Sequence, residues 1–224
     1  PKELFLILAE LAREGVPVQT LAPRFSGFFH KGVDYVGDIA RFTREFREDV
    51  AVIGHAAREF GLPEGLKLSV HSGSDKFSLY GPIHQILRES GAGIHLKTAG
   101  TTWLEEVIGL AEAGGPGLAI AKAIYRSARE RLGELSEPYA AVIAIDPNRL
   151  PHPDTVESWG PQEYVEALRH DPAHRRYDRN LRQLIHIGFK VAAEMGQRFT
   201  DALREHREVI ARNVTRNLYA RHIR

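Results

Sequence analysis

At 224 residues the chain is long enough to bury a sizeable core, and 43% hydrophobic with 26% charged residues is a globular composition, not that of a disordered tail. Lys and Arg number 30 against 29 Asp and Glu, a formal charge of +1, so no net field draws the protein to nucleic acid or an anionic membrane. The absence of cysteine excludes disulfides, thiolate metal sites and a cysteine nucleophile, and it suits the cytoplasm, while the longest apolar runs fall far short of the ~20 residues of a membrane span.

The opening residues are already helix-periodic: Leu4, Phe5, Leu8, Leu11 and Ala12 share one face. They follow Pro1 with no initiating Met and no signal-peptide pattern, which is the expectation for a portion of a longer protein. Residues 16–21 read as a strand stopped by Pro23. Residues 34–60 read as a helix, with Ile39, Phe42, Phe46, Val50 and Ile53 spaced by three or four, closed at Gly61 and Pro63. A second strand over 66–71, a polar turn and a helix over 76–89 follow. A third strand over 94–97 leads into a helix carrying Trp103, Leu104, Val107 and Leu110. After a break at 113–117 come a helix over 118–132 and a strand-like run at 139–145, Ala-rich enough to suit a helix as well. Residues 146–178 hold five of the 12 prolines and read as a long loop around a short helix at 162–168. Two helices, 180–195 and 199–219, close the chain.

Strands alternating with helices predict parallel βα units. Four such units in about the first 145 residues are half of what a closed (β/α)₈ barrel of ~250 residues requires. The expectation is an α/β fold of parallel βα units, TIM-barrel-like and forming part of a barrel, with an open sheet as the alternative. Residues 1–150 would be the βα-repeat catalytic part, and 151–224 a loop and C-terminal helical extension packed on the same domain.

In such folds chemistry gathers where strands end in polar, Gly-containing turns. His71 closes the second strand ahead of Ser-Gly-Ser-Asp75-Lys76. His95 and Lys97 alternate in the third, ahead of Thr98-Ala-Gly100, and therefore share a face. Neutral imidazoles at neighbouring strand ends can converge on one divalent ion, although a strand-end His is commonly just a hydrogen-bonded structural residue. Neither stretch has the spacing of a dinucleotide fingerprint or a P-loop. Arg24 and Lys31 are candidate anion binders and Asp34 a candidate acid/base, against a solvated loop. Arg182, Gln183 and His186 make a polar face on an otherwise apolar helix.

Val70-His-Ser-Gly-Ser-Asp-Lys-Phe77, and Ile94-His-Leu-Lys-Thr-Ala-Gly-Thr101 with Trp103-Leu-Glu105, together resemble the tagaturonate/fructuronate epimerase family. Lys31-Gly-Val-Asp-Tyr-Val-Gly-Asp38 and Arg182-Gln-Leu-Ile-His186 resemble family motifs in the same order. The similarity runs from about Pro17 to the last helices. Family members are longer, with a barrel-like body, and this chain resembles their C-terminal part. The resemblance implies a divalent-metal-dependent isomerase of bacterial hexuronate catabolism, interconverting D-tagaturonate and D-fructuronate at C4. It implies a small anionic sugar acid as partner, with no nucleic acid or membrane, and leaves room for a homo-oligomer. On these motifs His71 and His95 would hold the metal, and Asp34 and Lys97 would be catalytic. Arg24, Lys31, Asp75, Lys76, Thr98, Arg182 and His186 would bind substrate. A third ligand and a second acid/base are expected in an N-terminal part outside this sequence. The alternatives are another metal-dependent sugar isomerase or aldolase, and a non-catalytic sugar-acid-binding module.

Overall fold

The structure, a computed structural model, describes residues 2–70 and 75–223. It divides into two units: 1–29 with 34–97, and 30–33 with 98–224. The expected boundary near residue 150 falls inside the second unit.

The first unit is the α/β part. It contains α1 (Lys2–Arg13), β1 (Thr20–Leu21), α2 (Ile39–Phe60), β2 (Lys67–Val70), α3 (Phe77–Ser90) and β3 (Ile94–Leu96). The strands form one parallel sheet in the order β1-β2-β3, with Thr20 opposite Lys67, Leu68 opposite Ile94, and Ser69 opposite His95. Helical connections between neighbouring parallel strands are the βαβ units the sequence predicts. Leu68 and Val70 drive the middle strand into a core with Phe42, Phe46, Val50 and Ile53 of α2 and Leu79, Ile83 and Ile86 of α3. Leu8 anchors α1 to the same core.

Helix α2 begins later than its periodicity suggests. Asp38 is the N-cap, its carboxylate accepting the Arg41 N–H at 3.1 Å. Ahead of it, Val36 pairs with Phe28 in an isolated antiparallel bridge, so residues 34–37 are committed to other contacts. β1 is also shorter than expected. Residues 16–19 lie outside the strand, although Gln19 O still accepts the Lys67 N–H at 3.1 Å.

The second unit is helical: α4 (Ala99–Ala113), α5 (Gly115–Glu130), α6 (Leu132–Ser136), α7 (Pro153–Ser158), α8 (Pro161–Leu168), α9 (Arg179–Ile187), α10 (Phe189–Glu194), α11 (Gln197–Glu205) and α12 (Arg207–Asn217). Its central element is α4, where Trp103, Leu104, Val107, Ile108, Leu110 and Ala111 are all buried. Helices α5, α8, α9 and α12 pack around it. Buried Tyr164 donates its hydroxyl hydrogen to Ala121 O at 2.8 Å, and the Trp103 indole donates to Ile185 O at 2.8 Å, satisfying polar atoms that burial would otherwise penalise.

The expected fourth strand is absent among the described residues. Residues Glu137–Val142 form a 3₁₀ turn, and the backbone extends only at Ile143. There the amide of Gln183 replaces a neighbouring strand, accepting the Ala144 N–H at 2.9 Å and donating to Ala144 O at 3.2 Å. The two long closing helices are likewise broken, at Gly188 and at His206, and α7 emerges from what reads as loop. None of the helices among the described residues is long and apolar enough to cross a membrane.

Glu106 on α4 is half-buried, and burial raises its carboxyl above the ordinary value of 4.5. Between 4.5 and that raised value the folded protein holds a proton the unfolded chain has released. Stability is therefore lost as pH rises through this window. Glu106→Gln removes the charge. Thermal melts should show the variant above the parent at pH 7, with the gap closing as pH falls toward 4.5; a constant gap would contradict the burial argument.

Candidate functional site

In the first unit the chemistry collects around the start of α3. Asp34 Oδ1 accepts the Tyr35 N–H at 2.8 Å and the Ser78 hydroxyl hydrogen at 2.9 Å. The Ser78 N–H lies between both carboxylate oxygens, 3.3 Å from Oδ1 and 3.2 Å from Oδ2. Ser78 stands in the first turn of α3, where backbone N–H groups lack helical partners and the helix dipole favours negative charge. A carboxylate supplied from 44 residues upstream thus does what the local N-cap, Lys76, leaves undone.

Asp75 and Lys76 join the 71–74 segment to α3. Both are buried, at 0% and 1% exposure, and Asp75 adopts φ 64°, the left-handed region that costs a side-chain-bearing residue energy. The hydroxyl of Tyr80 accepts from the backbone N–H groups of Asp75 and Lys76. Burial and the nearby Asp75 carboxylate push that hydroxyl well above its usual range. A strained Asp, a buried Lys and a half-buried Tyr close together in sequence are the kind of arrangement that functional sites maintain.

In the middle of β3, His95 is exposed, and its Nδ1 shares a 3.1 Å hydrogen bond with Ser69 Oγ on β2. With Nδ1 engaged, Nε2 is the nitrogen left to face a ligand. Lys97 and Arg24 are exposed, so Lys97 does not need the buried counter-charge that a strand-interior lysine would demand. His71, the other expected metal ligand, lies outside the described residues. Among the described residues no three His, Asp or Glu side chains gather as a cation site. The donor chemistry of His95 fits one metal ligand, and the set is not complete without residues beyond those described. A cavity of about 1090 Å³ in this unit opens at the other end of the strands, beside Lys67 and Gly93, away from these groups.

In the second unit, Lys31 N donates to Val142 O at 2.8 Å, and the Lys31 ammonium sits 4.8 Å from the centre of the Tyr139 ring. Burial lowers its pKa. His186, half-buried on α9, lies against two glycines. A Cβ on Gly100 would fall 2.2 Å from His186 Nε2, and one on Gly32 (φ +70°) 3.1 Å from its Cδ2. Any side chain at Gly100 would displace the imidazole from the first turn of α4. Thr98, half-buried, is the N-cap residue of that helix and makes no side-chain cap bond. Arg182 is buried at 0% exposure. Its Nε donates to Gly32 O and its Nη1 to Leu168 O at 2.7 Å, so it ties two backbone segments together.

The expected residues therefore separate into Asp34, Asp75, Lys76, His95, Lys97 and Arg24 in the first unit, and Lys31, Thr98, Arg182 and His186 in the second. Sequence reasoning missed Ser78, Tyr80, Ser69 and Tyr139. A serine in the first turn of a helix is a recognisable donor, but nothing local to it points to Asp34. Tyr80, Ser69 and Tyr139 carry no motif of their own.

A family model described as UxaE, tagaturonate epimerase, matches residues 1–223. A tagaturonate/fructuronate epimerase of Thermotoga maritima is 32% identical over 220 residues, covering 97% of this chain and 40% of the relative. The crystal structure of the native fructuronate-tagaturonate epimerase UxaE of Cohnella laeviribosi superposes with a TM-score of 0.75 at 30% identity, over 97% of this chain and 41% of that one. Its form with one glycerol gives 0.74 at 29%, over 96% and 40%. The chain thus spans about 40% of the length of the relatives it matches. With a family match running from the first residue to the last but one, the chain belongs to the tagaturonate epimerase family.

Proposed function

We propose that this chain is the part of a sugar-acid epimerase that carries an acid/base carboxylate and an imidazole ligand, and that the protein interconverts D-tagaturonate and D-fructuronate at C4 in the cytoplasm. The observation that carries this reading is the family match over residues 1–223, joined by relatives of that named activity at 30–32% identity. The parallel order β1-β2-β3 is consistent with a portion of a (β/α) barrel.

The C4 hydrogen of a 2-keto sugar acid is not adjacent to the carbonyl, so simple removal of an α-proton cannot invert that centre. A retro-aldol route can. Asp34 takes the proton of the C4 hydroxyl as the C3–C4 bond breaks, which leaves an aldehyde at C4 and an enediolate over C2 and C3. The aldehyde turns its other face, the bond re-forms, and Asp34 returns the proton to the C4 oxygen. A divalent cation, held by His95 Nε2 and His71, would supply Lewis-acid stabilisation of the charge at the C2 oxygen. Lys97 adds a cation beside His95, while Arg24 and Lys76 of the same unit are the candidates for holding the carboxylate. Arg182, spent on two backbone carbonyls, is assigned to holding the fold instead.

The test is an NMR assay of both keto-uronates in D₂O, with and without chelator. The proposal expects interconversion that stops on chelation and returns with added metal, with no deuterium at C3 or C4. Binding without turnover would favour a sugar-acid-binding module. Turnover of other ketoses in preference would favour a related isomerase or aldolase, and deuterium at C4 would eliminate the retro-aldol route.

A further inference from the structure

We propose that Ser78 is a positioning residue that fixes the Asp34 carboxylate with Oδ1 as its anchored oxygen and Oδ2 as the oxygen that exchanges the proton; this rests on the acid/base reading of Asp34. The two oxygens are unequally engaged. Oδ1 receives the Tyr35 N–H at 2.8 Å, the Ser78 hydroxyl at 2.9 Å and the Ser78 N–H at 3.3 Å. Oδ2 receives, among the described residues, only the Ser78 N–H at 3.2 Å. Oδ1 is saturated with donors, whereas Oδ2 keeps lone-pair capacity for a further O–H.

The hydroxyl of Ser78 is what makes the difference permanent. The Ser78 N–H lies between the two oxygens and does not distinguish them, while the hydroxyl bonds Oδ1 alone. Because the Tyr35 N–H reaches Oδ1 from the adjacent residue, the hydroxyl adds a second fixed point from α3 and removes rotation about the Cβ–Cγ bond. Ser78 never needs to touch substrate for this. Catalytic carboxylates lose efficiency when their geometry drifts, and a misplacement of ~1 Å is enough to cost about 10²-fold.

The alternative role for the same contacts is purely structural: Asp34 caps α3, and Ser78 is the capped residue. The two roles differ in what they change. In the complete protein, Ser78→Ala should lower kcat by about 10- to 100-fold while KM stays within about threefold. Ser78→Thr, which keeps the hydroxyl, should recover kcat to within about threefold, and Ser78→Cys, a weak donor of similar size, should fall between Ser and Ala. In the Asp34→Asn background, Ser78→Ala should change kcat less than about twofold, because the group it positions is already disabled. A lower melting temperature with unchanged kcat in Ser78→Ala would overturn the proposal, as would full activity in Ser78→Cys or additive losses in the double variant. Should Ser78→Ala not fold, the Thr and Cys variants still decide. Full activity in Asp34→Asn would instead remove the acid/base reading itself, an outcome seen without any Ser78 variant.

Discussion

Asp34→Asn is expected to lower turnover by at least ~10²-fold, the usual scale for loss of a positioned proton-transfer group. The substitution is chosen for what it preserves. An asparagine oxygen still accepts the Tyr35 N–H and the Ser78 hydroxyl hydrogen that Oδ1 accepts at 2.8 and 2.9 Å, so α3 keeps most of its cap. The amide nitrogen replaces Oδ2 and cannot take a proton. Metal content, measured on the purified protein, should be unchanged, because the imidazole of His95 is held by Ser69 and not by Asp34. A variant that keeps its activity would end the acid/base assignment. A variant that loses activity together with its melting transition would mark Asp34 as the cap of α3 and nothing more.

The parts of this arrangement that follow from local pattern were legible in the sequence. Apolar spacing placed α1 and α2, the alternating run at 66–71 located β2, and the run at 94–97 located β3. What failed was the reach of those patterns. The run at 139–145 has strand composition, but it becomes a 3₁₀ turn followed by extended backbone whose Ala144 hydrogen bonds to the Gln183 amide, a partner 39 residues away. The expected helix over 180–195 has unbroken periodicity on paper, yet it stops at Ile187 because Gly188 ends α9.

The candidate site divides in the same way. Asp34 and His95 stood out by residue type and by position near strand ends, so sequence sufficed to name them. Their partners did not stand out, because Ser69 and Ser78 are ordinary serines whose roles exist only through strand register and a contact across 44 residues. Lys76 and Arg182 show another limit. A cation near a strand end or on a polar helix face suggests an exposed side chain, and both are almost completely buried. Burial of a long charged side chain depends on which carbonyls and carboxylates the fold delivers to it, and helical spacing alone does not encode that.

Arg182 gives the sharpest test of this distinction, because its two readings predict different losses. As a fold-holding residue it donates to Gly32 O and, at 2.7 Å, to Leu168 O, with no side-chain surface open to solvent. Arg182→Met keeps an unbranched apolar chain but leaves both carbonyls buried without that donor, at about 1–3 kcal/mol each. The expected loss is therefore about 2–6 kcal/mol in urea unfolding, a large share of the ~5–15 kcal/mol that holds a typical domain together. Arg182→Lys should recover less than half of it, since an ammonium is a compact point donor and lacks the rigid fork that reaches two separated carbonyls at once. As a substrate clamp, by contrast, Arg182→Met would raise KM for the keto-uronate and leave the urea midpoint in place. A stable variant with weakened substrate binding would return Arg182 to the binding site, whereas a destabilised variant whose folded fraction keeps the parent's KM confines it to holding residues 30–33 against α9.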